Sequence, residues 1–315
     1  MPRLLRTKSC LRWGALVADG TWATRSLPRS FLFALLCCVS PSLVAYDASV
    51  HQSLTFLAAK QVQRCLPPEA QPFTALEVRA IAASAADEVG GGALGRPFRW
   101  QYYDPIEREE GWLDLAVSTR LNGAFAADLE RLARRPVRER ALRVLGRVVG
   151  RIQLVTAPVR ALPVFAPRFW RGNLTDRFEQ YPVREAMLEA RLAEFCGELE
   201  QPLPDLDSLL AQTAAETRSA VDAPLGGFPA TWRAFWTPAE TLGDFGSYGP
   251  AGNSFGRYVE FSCGKAPLHR CVLITDDPAY TAFADDRHLA AVRATARAMV
   301  FFAADQPPRA SGAAP

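Results

Sequence analysis

Apolar residues at Leu142, Leu145, Val148, Val149 and Ile152 recur at intervals of three and four, which places them on one face of an α-helix. The same period runs through His51–Arg64, where Leu54, Leu57, Ala58 and Val62 share a face, and through Leu76–Glu88, which ends at Gly90, Gly91 and Gly92. Leu113–Ala133, about Asp176 to Leu199, Leu206–Ala220 and the apolar Asp286–Ala304 extend the pattern. Helical faces of this kind are stable only when buried against one another. No alternation of strands and helices and no internal repeat interrupts them. The expected fold is therefore all-α, a single multi-helix domain over residues 46–305. A small β-hairpin is predicted at Tyr258–Phe261 and Val272–Ile274. The Gly-, Pro- and Trp-rich stretch 225–256 reads as ordered loop, the segment around Trp100–Pro105 as loop, and 306–315 as a disordered tail.

The first 45 residues differ from the rest. Phe31–Val39 is apolar, follows Arg25 and Arg29, and precedes the small residues around Ser40 and Ala45, which is the layout of a secretory signal peptide. It is too short for a comfortable transmembrane span. A leader over 1–45 implies a secreted or periplasmic protein with no membrane span after cleavage. Outside that leader the cysteines are Cys65, Cys196, Cys263 and Cys271, an even number that suits disulfides in an exported chain. Cys263 and Cys271 flank a short turn-like stretch and are expected to pair, leaving Cys65 to Cys196 by elimination. Four cysteines allow three pairings, and four buried thiols are the bland alternative.

Charge excludes one class of function. The formal charge is +3, yet Arg3, Arg6, Lys8, Arg12, Arg25 and Arg29 against Asp19 put +5 into the leader, leaving −2 for the remainder. Nucleic-acid binding needs clustered Lys and Arg that displace counterions. The densest basic run, Arg131, Arg134, Arg135, Arg138, Arg140, Arg143 and Arg147, is interleaved with apolar residues and reads as a solvated helix face, so no specific nucleic-acid patch is expected. Histidine is scarce: His51, His269 and His288 are all there are, and the last two read as surface or packing residues. No G-x-S-x-G elbow is present, and Gly246-Ser247-Tyr248-Gly249 reads as turn chemistry. Asp276-Asp277 and Asp285-Asp286 lack the alternating oxygen spacing of a calcium loop. Trp100, Trp112, Trp170, Trp232 and Trp236 are expected to fill the core or line a cleft.

Three blocks remain: Leu145-Gly146 through Pro158, Asp176-Arg177-Phe178-Glu179, and Phe98-Arg99-Trp100 with Tyr103-Asp104-Pro105. Together they resemble the zinc-dependent phospholipase C and single-strand-specific nuclease family. That family has a helix reading Leu-Gly-x-x-x-His-x-x-x-Asp-x-x-x-Pro-x-His, a later His-x-x-x-Glu, and a loop R-W-x-H-F-Y-D-P. The resemblance runs in blocks from about Tyr46 to Phe302. It implies a multi-helix fold, about three zinc ions with roughly four ligands each, and phosphodiester hydrolysis by a metal-activated water. It also implies that the α-amine freed by leader cleavage is a ligand, which here would sit on Tyr46, with His51 five residues later.

The substitutions decide what the resemblance means. The retained positions are Tyr46, His51, Asp87 and Glu179, and the substituted ones are Gln101, Gly150, Leu154, Arg160 and Thr175. Leu154 stands where a carboxylate would bridge metals, and Arg160 brings positive charge to the place of a dication. Arg160 is expected to occupy the vacated pocket and pair with Asp87 or Glu179, because an isolated buried carboxylate is costly. The alternative is that both acids and Arg160 are solvated on helix surfaces. The leading expectation is thus a catalytically degenerate binding or accessory protein without a cofactor. A phospholipid or small phosphate ester in the former cleft is its implied ligand. The runner-up is a hydrolase with a reduced zinc site around Tyr46, His51, Asp87 and Glu179.

Overall fold

The computed structural model describes residues 48–90, 100–106, 118–164, 176–241, 244–264 and 269–305. The expected leader, Tyr46, Thr175, Trp112, Trp170 and the 306–315 tail lie outside the described residues. The protein is mainly helical, with three short two-stranded pairings among the described residues.

The chain enters α1 (Ala48–Cys65), which buries Leu54, Leu57, Ala58 and Val62, the face its period predicts. Helix α2 (Ala75–Gly90) starts at a capping box. The Glu77 carboxylate accepts from the Thr74 N–H and hydroxyl, while the Thr74 hydroxyl accepts from the Glu77 N–H. Strand β1 (Trp100–Tyr102) then pairs in parallel with β2 (Ser118–Arg120). This corrects two expectations. Trp100–Tyr102 is not loop, and the helix expected from Leu113 begins only at Leu121, as α3 (Leu121–Ala133). Ser118-Thr119-Arg120 supplies no apolar residue to a helical face, whereas the strand pairing satisfies its backbone groups. Beyond β1, the Asn122 side-chain amide holds both the N–H and the carbonyl of Asp104, at 3.0 Å each.

Helix α4 (Arg138–Leu154) is the central element. It packs against α2, α3 and the closing helix α9 (Pro278–Ala304), with Leu145, Val148, Val149 and Ile152 fully buried. Its contact with α2 depends on two glycines one turn apart. A Cβ at Gly146 would stand 2.5 Å from the Ile81 carbonyl oxygen, and one at Gly150 would stand 3.0 Å from that of Ala85. A short turn, α5 (Pro158–Ala161), follows with Pro158 in its first turn.

The continuous helix expected over 176–199 is broken. Phe178–Gln180 is a 3₁₀ turn, and α6 (Glu185–Arg191) and α7 (Cys196–Glu200) come after it. Pro182 is the cause. It holds Tyr181 extended, at ψ 132°, and offers no N–H to a helical ladder. Helix α8 (Leu206–Asp222) is as expected, capped by Asp205 onto the Ser208 N–H. The stretch 225–256 is irregular and held by its buried aromatic residues. Trp232, Trp236, Phe235 and Phe255 pack with Phe178, Tyr280 and Phe283 into one aromatic cluster, and β3 (Trp236–Thr237) pairs with β4 (Ser247–Tyr248). The predicted hairpin is present as β5 (Val259–Ser262) and β6 (Arg270–Leu273).

Helix α9 begins eight residues before the expected Asp286, because Asp277 caps the Ala279 N–H and Pro278 opens the first turn. Both expected disulfides are present: Cys65–Cys196 joins the end of α1 to α7, and Cys263–Cys271 closes the hairpin. Among the described residues no helix is long and apolar enough to cross a membrane.

The basic run is not a freely solvated face. Arg131, Arg147 and the neighbouring Arg151 converge on the fully buried Asp128, and Arg138 binds Glu77 at 2.5 Å. Arg134, Arg135 and Arg143 form exposed surface pairs with Glu130, Asp305 and Glu139. Burial raises the Asp128 carboxyl, but its guanidinium partners more than offset this and hold it below the usual carboxylate range.

Candidate functional site

The positions singled out by sequence converge in part. Arg160 and Glu179 are both buried, with side chains 6% and 1% exposed, and they meet as a fork. Nε donates to Glu179 Oε1 at 2.5 Å, and Nη2 donates to Oε2 at 3.2 Å. The remaining nitrogen, Nη1, donates to the backbone carbonyl of Gln101 at 2.9 Å. The α5 turn delivers Arg160, whose own carbonyl accepts from the Tyr103 N–H, and the 3₁₀ turn Phe178–Gln180 delivers Glu179. Of the two acids expected to receive Arg160, Glu179 does so. Asp87 stands exposed on α2.

His51 lies at the other side of this group, fully buried in α1. Its Nδ1 is 2.5 Å from Gln153 Oε1, and the Gln153 amide nitrogen donates to the hydroxyls of Thr55 and Thr295. One glutamine thereby ties α1, α4 and α9 together. Burial is the main force on the imidazole, bringing it down to about 4; the Gln153 contact opposes this, and the charge of Arg160 adds to it. His51 is neutral at physiological pH.

Asp176 completes the cluster. Its Oδ2 accepts from Trp236 Nε1 at 2.9 Å and from the Tyr248 hydroxyl at 2.8 Å, and Oδ1 accepts from the Phe178 N–H at 2.8 Å. Burial, with the Glu179 charge nearby, pushes its carboxyl up to about 6 against the pull of those three donors. Asp176 enters the sequence reading only as part of the Asp176-Arg177-Phe178-Glu179 block, and Gln153 carries no sequence signal of its own. Tyr248 sits inside the Gly-Ser-Tyr-Gly phrase read as turn chemistry. Its flanking glycines allow the close approach, since a Cβ on Gly246 or Gly249 would run into the carbonyls of Thr237 and Arg233. The other histidine expected to be a surface or packing residue, His288, is fully buried beside Phe178 at 5.8 Å, and burial lowers it to about 4.

The described part of the donor set does not fit a zinc centre. Both Glu179 oxygens accept from Arg160, and Leu154 is buried and apolar. Gly150 faces the α2 backbone so closely that an imidazole there would collide with Ala85. Asp87 lies on the solvent side, and His51 turns Nδ1 to an amide. Zinc needs about four nitrogen, sulfur or carboxylate ligands at close to 2 Å. Among the described residues no group of three or more His, Cys, Asp or Glu is arranged to hold a metal. In comparisons with protein-family models, curated proteins and solved structures, nothing matches the chain.

Proposed function

We propose that this chain is an exported, metal-free helical protein on a phospholipase C and nuclease-like scaffold, acting by binding rather than by hydrolysis. The Arg160–Glu179 fork carries the reading. A guanidinium stands where the resemblance calls for a dication, and it takes up the carboxylate that would ligate one. A zinc-activated hydroxide requires the dication that lowers the pKa of its water, and the fork supplies no Lewis acid. Gly150 and Leu154 support the same reading, because both side-chain positions belong to helix packing. Two disulfides suit an oxidising compartment, in keeping with a secreted or periplasmic location. A phosphate ester, free or as a phospholipid headgroup, is the ligand class the resemblance implies.

The test is metal analysis of the purified mature protein, with turnover assays on phosphatidylcholine and single-stranded DNA. The expected result is substoichiometric zinc and no chelator-sensitive turnover. Stoichiometric zinc with turnover abolished by chelator overturns the proposal.

A further inference from the structure

Arg218 differs from the arginines that this protein pairs with carboxylates, and it shares with Arg297 a nitrogen buried without a partner. Arg138, Arg147, Arg151, Arg160 and Arg293 each reach a carboxylate. Arg218, half-buried on α8, meets no carboxylate and makes no hydrogen bond among the described residues, and its Nη1 is buried without a partner. What it has is an aromatic floor: its Cζ lies 5.7 Å over the ring of Tyr103, which is itself 8% exposed. Tyr103 is in turn fixed by its N–H to the Arg160 carbonyl. A guanidinium taken partly out of water without a counter-charge is costly, and a ring face offsets only part of that cost. Burial accordingly lowers the Arg218 guanidinium, against the Tyr103 phenol. Burial raises the Tyr103 hydroxyl against the pull of Arg218, with the charges of Asp104 and Asp207 adding to the rise, and neither acid forms an ion pair with Arg218. The missing element is an anion.

We propose that Arg218, on its Tyr103 floor, is a binding site for a small oxyanion, a phosphate or a carboxylate group. The guanidinium presents planar N–H donors matched to two oxygens of such a group, and the fixed ring orients the plane. The site is separate from the Arg160–Glu179 fork, and it extends the binding reading above by giving the ligand a chemistry and a place.

The experiment is calorimetric titration of the mature full chain, in chloride buffer with EDTA, by inorganic phosphate, acetate and glycerol phosphate. Arg218→Met and Arg218→Lys are measured alongside. At least one anion is expected to bind, with affinity reduced about tenfold or more in Arg218→Met and less in Arg218→Lys. Preference for phosphate assigns a free phosphate. Preference for glycerol phosphate assigns a phosphate ester such as a headgroup, and preference for acetate assigns a carboxylate. Arg218→Met keeps the apolar stem and removes the unmatched charge, so its unfolding midpoint without anion should stay level or rise. Absence of binding up to the order of 10 mM overturns the inference. So does equal binding by Arg218→Met, or, should that variant not fold, by Arg218→Lys. Binding that appears only when zinc replaces EDTA contradicts the metal-free reading and the Arg218 site together, whereas zinc uptake with EDTA-resistant, Arg218-dependent binding contradicts the first alone.

Discussion

The part over 48–164 and the part over 176–264, which joins α6, α7 and α8 to irregular chain, combine the same means of burial in different proportions. The first relies mostly on repeated apolar faces and on the glycine contact between α2 and α4, where many side chains share the work, with polar anchors at Asp128 and Gln153. The second adds single polar anchors to its aromatic cluster: Asp176 gathers Trp236, Tyr248 and the Phe178 N–H, and Glu179 holds Arg160 across to the first part. Periodic packing is redundant, and a point anchor is not. Removing one anchor leaves a buried group unsatisfied, whereas trimming one methyl group from a stripe leaves its neighbours in place.

The largest effect is expected at the covalent link between α1 and α7. Cys65→Ala/Cys196→Ala, which opens a separation of 131 residues, should lower stability by about 5 kcal/mol on the chain-entropy argument. Cys263→Ala/Cys271→Ala, with a separation of 8, should lower it by about 2–3 kcal/mol. Urea midpoints compare the two, and equal losses would break the ordering.

Next comes the fork. Glu179→Gln leaves the Arg160 charge buried without its carboxylate and should cost about 3–5 kcal/mol, while Arg160→Met/Glu179→Leu should recover most of that loss. A double variant as unstable as Glu179→Gln would mean that the charges themselves are needed. At the glycine contact, Gly146→Ala should destabilise by about 1–2 kcal/mol, after a helix-propensity gain of about 1 kcal/mol is set against the clash. Gly150→Ala, with more room, should lie within about 1 kcal/mol of the parent. Thermal melts of both single variants rank the two contacts.

The pH slope reads the buried titratable groups together. His51 and His288 titrate at about 4 in the fold, below their ordinary value of 6.5, so their contribution is present above 6.5 and is lost as pH falls through about 4. Asp176 is raised to about 6, so its contribution is present below the ordinary carboxylate range and is lost as pH rises through about 6. Two groups oppose one, and stability should fall from pH 6.5 towards 4. Asp176→Asn removes the opposing contribution and should steepen that fall, as read from denaturant midpoints across the window.

The same contrast governs what a reader of the sequence can extract. The faces of α1, α2, α4 and α8 are legible because burial repeats every three or four residues. The Cys263–Cys271 bridge follows from spacing and Cys65–Cys196 from elimination, while the resemblance and the cost of stranding a buried acid narrow the partner of Arg160 to Asp87 or Glu179. The break at Pro182 is also written in the sequence, but helical periodicity on either side of it masks the signal. Nothing local marks Asp176 as a hub or Gln153 as the link between three helices. Their side-chain partners lie 60 to 142 residues away, and only the folded backbone brings them together. Asp87 fails for a different reason. Its place in a motif does not say which side of α2 it faces, and α2 turns its inner face to the glycines of α4.

Whether a guanidinium has replaced a metal at Glu179 is most directly decided by crystals grown with excess zinc and measured at the zinc absorption edge. The account predicts no anomalous peak within bonding reach of Glu179, with the Arg160 side chain on both carboxylate oxygens. A zinc peak coordinated by Glu179, with Arg160 swung away, would contradict it.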